Sequence, residues 1–214
     1  MNIQLIVFDV DGTLNDINQS PWRVITKKLG ASVKQHIDIY NKFKQGVYPT
    51  QEAINRITRM WLETGNANKT NFQKILSQIT LRPDAKSTID YLKSKYQICL
   101  ISGTLDMYIE IIKKELGIEY AYCLTKLYWD ENRILKTFDY EGFNPFSKLN
   151  ILDSFLKEKR ITFEQCVAVG DGDNDNEIFK KVSKNFLLDG EYNHHITASN
   201  VTLIKELSEL KKYL

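Results

Sequence analysis

Two stretches of this sequence combine acidic residues with glycine directly after an apolar run. In the first, Asp9 and Asp11 follow the apolar run Leu5–Phe8, in the order Asp-Val-Asp-Gly-Thr-Leu. A short continuous apolar run of this kind predicts a buried strand of a parallel sheet. Because ligands bind at the carboxyl ends of such strands, two carboxylates one residue apart can face one site there. The alternative interpretation is an Asp-Gly turn with only a structural role.

The second stretch follows a later apolar run and reads Gly-Asp-Gly-Asp-Asn-Asp from Gly170 to Asp175. Its acids resemble those of a calcium-binding loop, but the glycine placement and the lack of a bidentate glutamate argue against an EF-hand. Carboxylate oxygens at strand ends are equally suited to Mg²⁺. We therefore predict a magnesium site that uses Asp171 and Asp175, whereas Asp173 is expected to face solvent or to cap a helix.

A hydroxyl and a lysine elsewhere in the chain are candidates for binding an anion. Ser102, Gly103 and Thr104 follow a third apolar run and precede a predicted helix, where free N–H groups and the positive end of the helix dipole favour anions. Lys148 lies near the start of another predicted helix and supplies a candidate cation. Taken alone, the first feature is a common turn and the second a solvated lysine.

The elements that must position these residues predict an α/β fold with a doubly wound, mostly parallel sheet. Apolar runs at 97–101, 122–127, 166–169 and 186–188 predict further strands, and helical segments lie between most of them. Between Asn15 and about Leu81 the pattern changes to helices without strands, so we assign 1–14 and 81–214 to a core and 15–80 to an inserted helical domain. The tail 205–214 is predicted to be an amphipathic helix.

Composition excludes several other classes of protein. The chain has 214 residues, 29 Lys and Arg against 27 Asp and Glu, and 43% hydrophobic residues, which describes an ordinary globular protein without the basic field that nucleic acids or anionic membranes attract. Cys99, Cys123 and Cys166 lie in apolar runs and are predicted to be buried free thiols of a cytoplasmic protein. Neither a signal peptide nor the roughly 18 to 20 apolar residues of a membrane span is evident. Adjacent His194 and His195 are expected to be exposed loop residues.

In this order, the four motifs resemble those of the haloacid dehalogenase (HAD) superfamily of phosphohydrolases, nearest to its phosphoserine phosphatase-like subfamily with a C1-type helical cap. The resemblance covers nearly the whole chain and implies a Rossmann-like HAD core. It implies Asp9 as the nucleophile and Asp11 as the general acid and base. The phosphate ligands that it implies are Ser102, Gly103 and Lys148, and the Mg²⁺ ligands are Asp9, Asp11 through its main-chain carbonyl, Asp171 and Asp175.

The resemblance is less complete in the residues that would bind the rest of the substrate. Phosphoserine phosphatases use a cap glutamate for the ammonium group and a cap arginine for the carboxylate, and Asn18 occupies the glutamate position here. Arg56 and Arg59 lie on the expected cap helix and are candidates to bind a substrate anion. The aromatic residues of the cap have helical spacing, which favours a role in the cap core over contact with substrate. They are Trp22, Tyr40, Phe43, Tyr48 and Trp61.

These observations predict a Mg²⁺-dependent phosphatase that hydrolyses a small phosphomonoester through an aspartyl-phosphate, with a phosphoserine-like substrate as the first expectation. One alternative is a phosphotransferase or mutase that passes the same phosphoryl group to a hydroxyl. Another is a phosphate-responsive regulatory module with a silent site, which the complete set of reactive side chains disfavours. The expected partner is a small phosphate ester, without nucleic acid or membrane, and a homodimer stays an open alternative.

Overall fold

The computed structural model describes residues 2–142, 144–190, 196–199 and 201–214. The prediction for His194 and His195 therefore lies outside the described residues. Within these ranges the strands are β1 (Leu5–Phe8), β2 (Gln97–Leu105), β3 (Tyr120–Trp129), β4 (Leu135–Tyr140), β5 (Cys166–Gly170), β6 (Lys184–Leu188) and β7 (Val201–Ile204). They form one sheet in the order β4-β3-β2-β1-β5-β6-β7, and every neighbouring pair is parallel except β3 and β4.

Helices cover both faces of this sheet, which explains why its central strands are continuous apolar runs. The α-helices are α1 (Pro21–Leu29), α2 (Val33–Lys44), α3 (Thr50–Leu62), α4 (Lys69–Leu76), α5 (Ala85–Lys93), α6 (Asp106–Leu116), α7 (Ser147–Lys159) and α8 (Asn176–Phe179). Alternate residues of β1 belong to two separate apolar cores: Ile6 packs in the core that includes α5 and α6, and Val7 in the core of α7 and α8. The predicted α/β, doubly wound, mostly parallel sheet is confirmed.

Helices α1 to α4 form an insertion between β1 and α5, and the chain enters and leaves it through a single point. Asn15 and Leu81 form an antiparallel bridge there. Next to this bridge, the guanidinium of Arg82 donates hydrogen bonds to the carbonyl oxygens of Gly12 (2.9 Å) and Thr13 (3.1 Å). The entry to the inserted helices is thereby fastened to the loop that carries Asp11.

The inserted helices pack around Trp61, which is completely buried. Its indole N–H donates to Thr26 Oγ1 at 2.9 Å, and Thr26 Oγ1 lies 2.6 Å from Nδ1 of buried His36. The β3–β4 hairpin completes this packing from the core side, because Phe138 and Trp129 contact Trp22 and Phe72 with ring centroids 5.4 and 5.1 Å apart.

Three predictions of local structure were wrong or incomplete. The sequence analysis missed β4 and β7, and it ended β2 at Ile101 although the strand continues to Leu105. In the predicted C-terminal helix, the structure has a 3₁₀ helix over Leu207–Lys212. Edge strands such as β4 bury only part of one face, so their residues carry a weak apolar signal.

The predicted cysteine state is confirmed: all three thiols are free, Cys99 and Cys166 are buried and Cys123 is partly buried. Within the described residues, no helix has the length and apolar character required to cross a membrane.

The buried His36 contributes a term to stability that weakens in acid. Burial, and secondarily the positive charge of Arg23, lowers the pKa of His36 to about 4. Between pH 6.5 and 4 the unfolded chain therefore binds a proton at this position that the folded chain does not, so the contribution of His36 to stability falls as pH falls through that window. We expect this group to cost about 1.4 kcal/mol of unfolding free energy per pH unit.

Urea titrations at pH 7, 5.5 and 4.5 measure the effect. The variant His36→Gln cannot titrate in this range, so its unfolding free energy should decline less steeply with acidification than that of the wild type. Parallel declines in the two proteins would contradict the assignment of His36 as a buried neutral group.

Candidate active site

Asp9 and Asp171 leave neighbouring strands at the same edge of the sheet. β1 and β5 pair in a register that places Phe8 beside Val169, and the N–H of Asp9 donates to the carbonyl oxygen of Val169 at 2.9 Å. Both carboxylates are buried, with 4% and 9% of their residue surface exposed. The parallel register therefore brings together two acids that are far apart in the sequence.

Lys148 joins these acids from the first turn of α7. Its ammonium lies 2.7 Å from a carboxylate oxygen of Asp9 and 2.7 Å from one of Asp175, and all three residues are buried. Burial by itself would lower the pKa of Lys148, but the charges of Asp175 and Asp9 outweigh it and raise that pKa above its usual value. Lys148 is therefore a permanent buried cation rather than the solvated lysine considered as the alternative.

Two glycines allow the acids to approach the backbone closely. A Cβ atom at Gly12, whose φ is +92°, would lie 2.0 Å from Oδ2 of Asp171, and a Cβ atom at Gly170 would lie 2.2 Å from Oδ2 of Asp175. Asp175 in turn accepts a hydrogen bond from the N–H of Asp171 at 3.2 Å, which closes the acidic loop on itself. Gly12 and Gly170 are thus required by space, and Gly12 also by its left-handed backbone conformation.

Carboxylate oxygens of Asp9, Asp171 and Asp175 lie within 4.8 Å of one another. Burial, together with the charge of Asp9, raises the pKa of Asp171 well above its usual value; burial is also the main cause that raises the pKa of Asp175. Three buried carboxylates around a single lysine leave an excess of negative charge that a divalent cation would neutralise. The oxygen donors fit Mg²⁺, which prefers carboxylates and water.

Asp11 has different surroundings, and its side chain does not belong to this cluster. One of its oxygens lies 3.2 Å from Thr104 Oγ1 and 3.3 Å from Asn15 Nδ2, and the other lies 3.4 Å from Ser20 Oγ. Burial, followed by the charge of Asp9, raises the pKa of Asp11 to about 7. Near neutral pH this carboxyl group can therefore both give and accept a proton.

The neutral donors to Asp11 were missed by the sequence analysis. Asn15 also accepts from the N–H of Gly12 at 2.9 Å and lies 3.3 Å from the hydroxyl of Tyr108, so it organises the whole turn. Its position four residues after Asp11 was an available signal, because asparagine commonly bonds nearby backbone in turns. Thr104 and Tyr108 give no such signal, since only the pairing of β1 with β2 brings them to Asp11.

Ser102 and Gly103 line the same cavity as Asp9 and Asp11, but their local structure differs from the expected turn. They lie within β2, and α6 begins only at Asp106. Ser102 is completely buried, and its Oγ accepts a hydrogen bond from the N–H of Thr104 at 3.2 Å. An anion bound here would therefore contact the end of β2 rather than the N-terminus of a helix. This end of the strand is irregular, because its pairing with β3 shifts register between Ser102 and Leu105.

The structure does not bring the predicted specificity residues to the cavity. Arg56 is exposed and pairs with Glu52 at 2.7 Å, while Arg59 is 82% exposed and lies 3.7 Å from Glu63. Both arginines are on the face of α3 opposite its buried residues, because the apolar stripe of α3 determines which side faces inward. Asn18 is exposed as well, and its side-chain oxygen accepts from the guanidinium of Arg23 at 3.3 Å.

Arg23 is the arginine that lines the cavity among the described residues, together with several of the aromatic residues assigned to the cap core. Trp22 and Phe43 pack against the cap core as expected and also line the cavity, and Tyr40 lines the cavity with 40% of its surface exposed. Trp61 does lie in that core. Helical spacing identifies an inward face but cannot distinguish a packed core from a cavity wall.

Asp173, expected to face solvent or cap a helix, is partly exposed and also connects the acidic loop to the inserted helices. Its carboxylate lies 2.8 Å from the ammonium of Lys44 at the end of α2, and both side chains are partly exposed. An exposed pair of this kind contributes little stability. The ion pair instead connects the core to the insertion across the cavity.

A parallel sheet with this cluster at its edge and a helical insertion above it defines a class of hydrolase. The family model of haloacid dehalogenase-like hydrolases matches residues 3–182, and the chain belongs to that family.

The chain is also similar to several individual proteins. The chain is 29% identical to a phosphoserine phosphatase of Methanocaldococcus jannaschii over 185 residues, which covers 83% of this chain and 82% of the relative. It is 26% identical to a phosphoserine phosphatase of Archaeoglobus fulgidus, covering 83% of this chain and 50% of that protein. A solved structure described as a phospho-aspartyl intermediate analogue of phosphoserine phosphatase shares the fold, with a TM-score of 0.80 at 24% identity over both whole chains. The protein is a phosphoric monoester hydrolase of the haloacid dehalogenase-like family and is similar to these phosphoserine phosphatases.

The close approach at Gly12 generates a prediction about activity. Gly12→Ala would place a methyl group where Asp171 lies, so Asp171 must move by an ångström or more. Since displacements of that size can cost about 100-fold in rate, we expect kcat/KM for para-nitrophenyl phosphate to fall by about that factor.

Gly65→Ala is the matched control, because Gly65 has a similar φ of +71° but open space around it. This control should lose only the stability that a left-handed alanine costs, about 1 to 2 kcal/mol, and keep its activity. Equal losses of kcat/KM in both folded variants would show that backbone strain, rather than contact with Asp171, explains the effect.

Proposed function

We propose that the protein is a Mg²⁺-dependent phosphatase that hydrolyses a small phosphomonoester through an aspartyl-phosphate intermediate. The observation that carries this proposal is the contrast between two acids separated by one residue. Asp9 contacts the permanent cation Lys148, whereas Asp11 contacts only neutral donors and has a pKa near 7. One carboxylate is suited to act as a nucleophile and the other to transfer protons.

In the first step, a carboxylate oxygen of Asp9 attacks phosphorus and the bond from phosphorus to the ester oxygen breaks. Asp11 donates its proton to the departing alcohol. In the second step, a water molecule gives a proton to Asp11 and attacks the phosphorus of the aspartyl-phosphate, which releases phosphate and restores Asp9. Dividing a slow hydrolysis in this way lowers each barrier.

Other residues hold the phosphoryl group during both steps. Ser102 and Gly103 line the cavity next to Asp9, and Lys148 supplies a fixed positive charge where negative charge accumulates. Asp9, Asp171 and the main-chain carbonyl of Asp11 would hold Mg²⁺, with Asp175 as a further ligand or as the holder of a water and Lys148. When bound, the ion would supply positive charge that reduces the repulsion between carboxylate and phosphate.

O-Phosphoserine is the first ester to assay, because the relatives carry the name phosphoserine phosphatase. The phosphotransferase alternative shares the first step and differs only in the acceptor of the phosphoryl group. Release of inorganic phosphate in the absence of any added acceptor alcohol therefore separates the two functions.

Substituting the two acids tests the proposal. Asp9→Asn should reduce phosphate release to background, because an amide cannot form the phosphoanhydride. Asp11→Asn should slow formation of the aspartyl-phosphate from alkyl phosphates by about 10²- to 10⁴-fold, measured as alcohol released in a single turnover. The same step should slow much less with para-nitrophenyl phosphate, whose leaving group needs no proton.

Asp153→Asn, at an exposed acid of α7 that pairs with Lys157, is the control and should keep full activity. Turnover by Asp9→Asn above a trace would sink the assignment of the nucleophile. Equal losses of the single-turnover rate with both kinds of ester in Asp11→Asn would count against proton donation by Asp11 to the leaving group.

Metal dependence provides a separate prediction. Chelation by EDTA should abolish phosphate release and added Mg²⁺ should restore it. Ca²⁺ should restore it poorly, since its looser coordination of six to eight ligands misplaces the groups that it binds. Phosphate release measured over a titration of each ion provides the comparison, and undiminished activity after exhaustive chelation would contradict the metal assignment.

A further inference from the structure

The cavity continues beyond the phosphate end into a space roofed by the inserted helices, with a total volume of about 220 Å³. An apolar cavity of about 150 Å³ is large enough to hold benzene. There is consequently room for a phosphoryl group and one ring.

Helix α2 contributes an apolar and aromatic face to this space. Val33, His36, Ile37 and Tyr40 all line the cavity, at the three- and four-residue spacing that places side chains on one side of a helix. Ile37 and Tyr40 retain 38% and 40% exposure, which is high for large apolar residues of a packed helix. They face a cavity rather than a filled core.

The opposite wall is a fixed aromatic ring from the core. Tyr140 of β4 packs so closely on Gly142 that a Cβ atom there would lie 2.4 Å from the ring, and its hydroxyl would lie 3.6 Å from a Cβ atom at Gly103. Trp22 meets the same ring edge to face, with centroids 5.9 Å apart. Tyr140 therefore separates the phosphate end from the aromatic end of the cavity in a rigid position.

The charged residues at this end already have partners. Asp173 is paired with Lys44 at 2.8 Å, and the guanidinium of Arg23 donates to Asn18 at 3.3 Å. His36 is buried and neutral at pH 7 because its pKa is lowered to about 4. A serine leaving group would bring an ammonium into this space, which would need an anionic partner to offset its desolvation, and Asp173 is already paired with Lys44.

We propose that the natural substrate is a phosphomonoester whose leaving alcohol carries an uncharged, flat, apolar group of about one aromatic or heteroaromatic ring, held between the α2 face and Tyr140. This inference rests on the proposed phosphatase function and specifies its substrate class.

Matched phosphate esters test the substrate class directly. Benzyl phosphate and ethyl phosphate differ in the ring, while O-phosphoserine and phosphocholine carry zwitterionic and cationic leaving groups, and 2-phosphoglycolate carries an anionic one. We expect kcat/KM for benzyl phosphate to exceed that of each of the others by about 10- to 100-fold, as burial of one ring-sized apolar group gives.

Two cap variants test whether the α2 face of the cavity causes the preference for benzyl phosphate. Tyr40→Ala should reduce the ratio of kcat/KM for benzyl phosphate over ethyl phosphate by about fivefold or more. Tyr48→Ala is the control: Tyr48 belongs to the same cap, but its ring contacts Arg56 and Lys42 rather than the cavity. That variant should keep the wild-type ratio.

The outcomes separate this inference from the function on which it rests. The wild-type protein could hydrolyse all the esters, lose this activity in Asp9→Asn, and show either no preference or a preference for O-phosphoserine, phosphocholine or 2-phosphoglycolate. That result would overturn the proposed substrate class but support the proposed phosphatase function. An unchanged benzyl-to-ethyl ratio in Tyr40→Ala would overturn the assigned wall. If no ester were hydrolysed in the presence of Mg²⁺, the proposed function itself would fail.

Discussion

The buried ammonium of Lys148 is the interaction on which the arrangement of the site depends. It lies 2.7 Å from both Asp9 and Asp175, and without it three buried carboxylates would repel one another in a medium that screens charge poorly. A buried ion pair seldom stabilises a fold by itself, because desolvation offsets most of the attraction. Here Lys148 fixes the positions of the three carboxylates. Its single positive charge neutralises only part of their negative charge, and a divalent ion would neutralise the rest.

This charge also separates the roles of two acids that are nearly adjacent in the chain. Asp9 points towards Lys148 and the acidic loop, whereas Asp11 points towards Thr104, Asn15 and Ser20. Asp9 therefore has a cationic partner, whereas Asp11 has hydroxyl and amide partners and its pKa is raised by burial. The left-handed turn at Gly12 makes the divergence possible, since it redirects the chain immediately after Asp11.

The inserted helices are coupled to this site through backbone contacts, through an ion pair and through the contact of Ser20 with Asp11. Arg82 binds the carbonyl oxygens of Gly12 and Thr13 at the point where the insertion rejoins the core, and the pair of Lys44 with Asp173 spans the other side of the cavity. A movement of the insertion would therefore be transmitted to both acidic loops. The same helices supply the apolar and aromatic wall of the cavity.

The sequence by itself determined the α/β class, the helical insertion and the candidate reactive residues, because apolar runs that end in acid and glycine are local signals. The tertiary structure decided which of the other polar residues share the site. Thr104 reaches Asp11 only through the pairing of β1 with β2, and β4 supplies Tyr140 although its half-buried edge strand has little apolar pattern. Likewise, the rotation of α3 about its axis, set by the packing of its apolar face, turns Arg56 and Arg59 to solvent, while Arg23 of α1 lines the cavity. Contacts between distant segments depend on register and helix rotation, which no single stretch of sequence encodes.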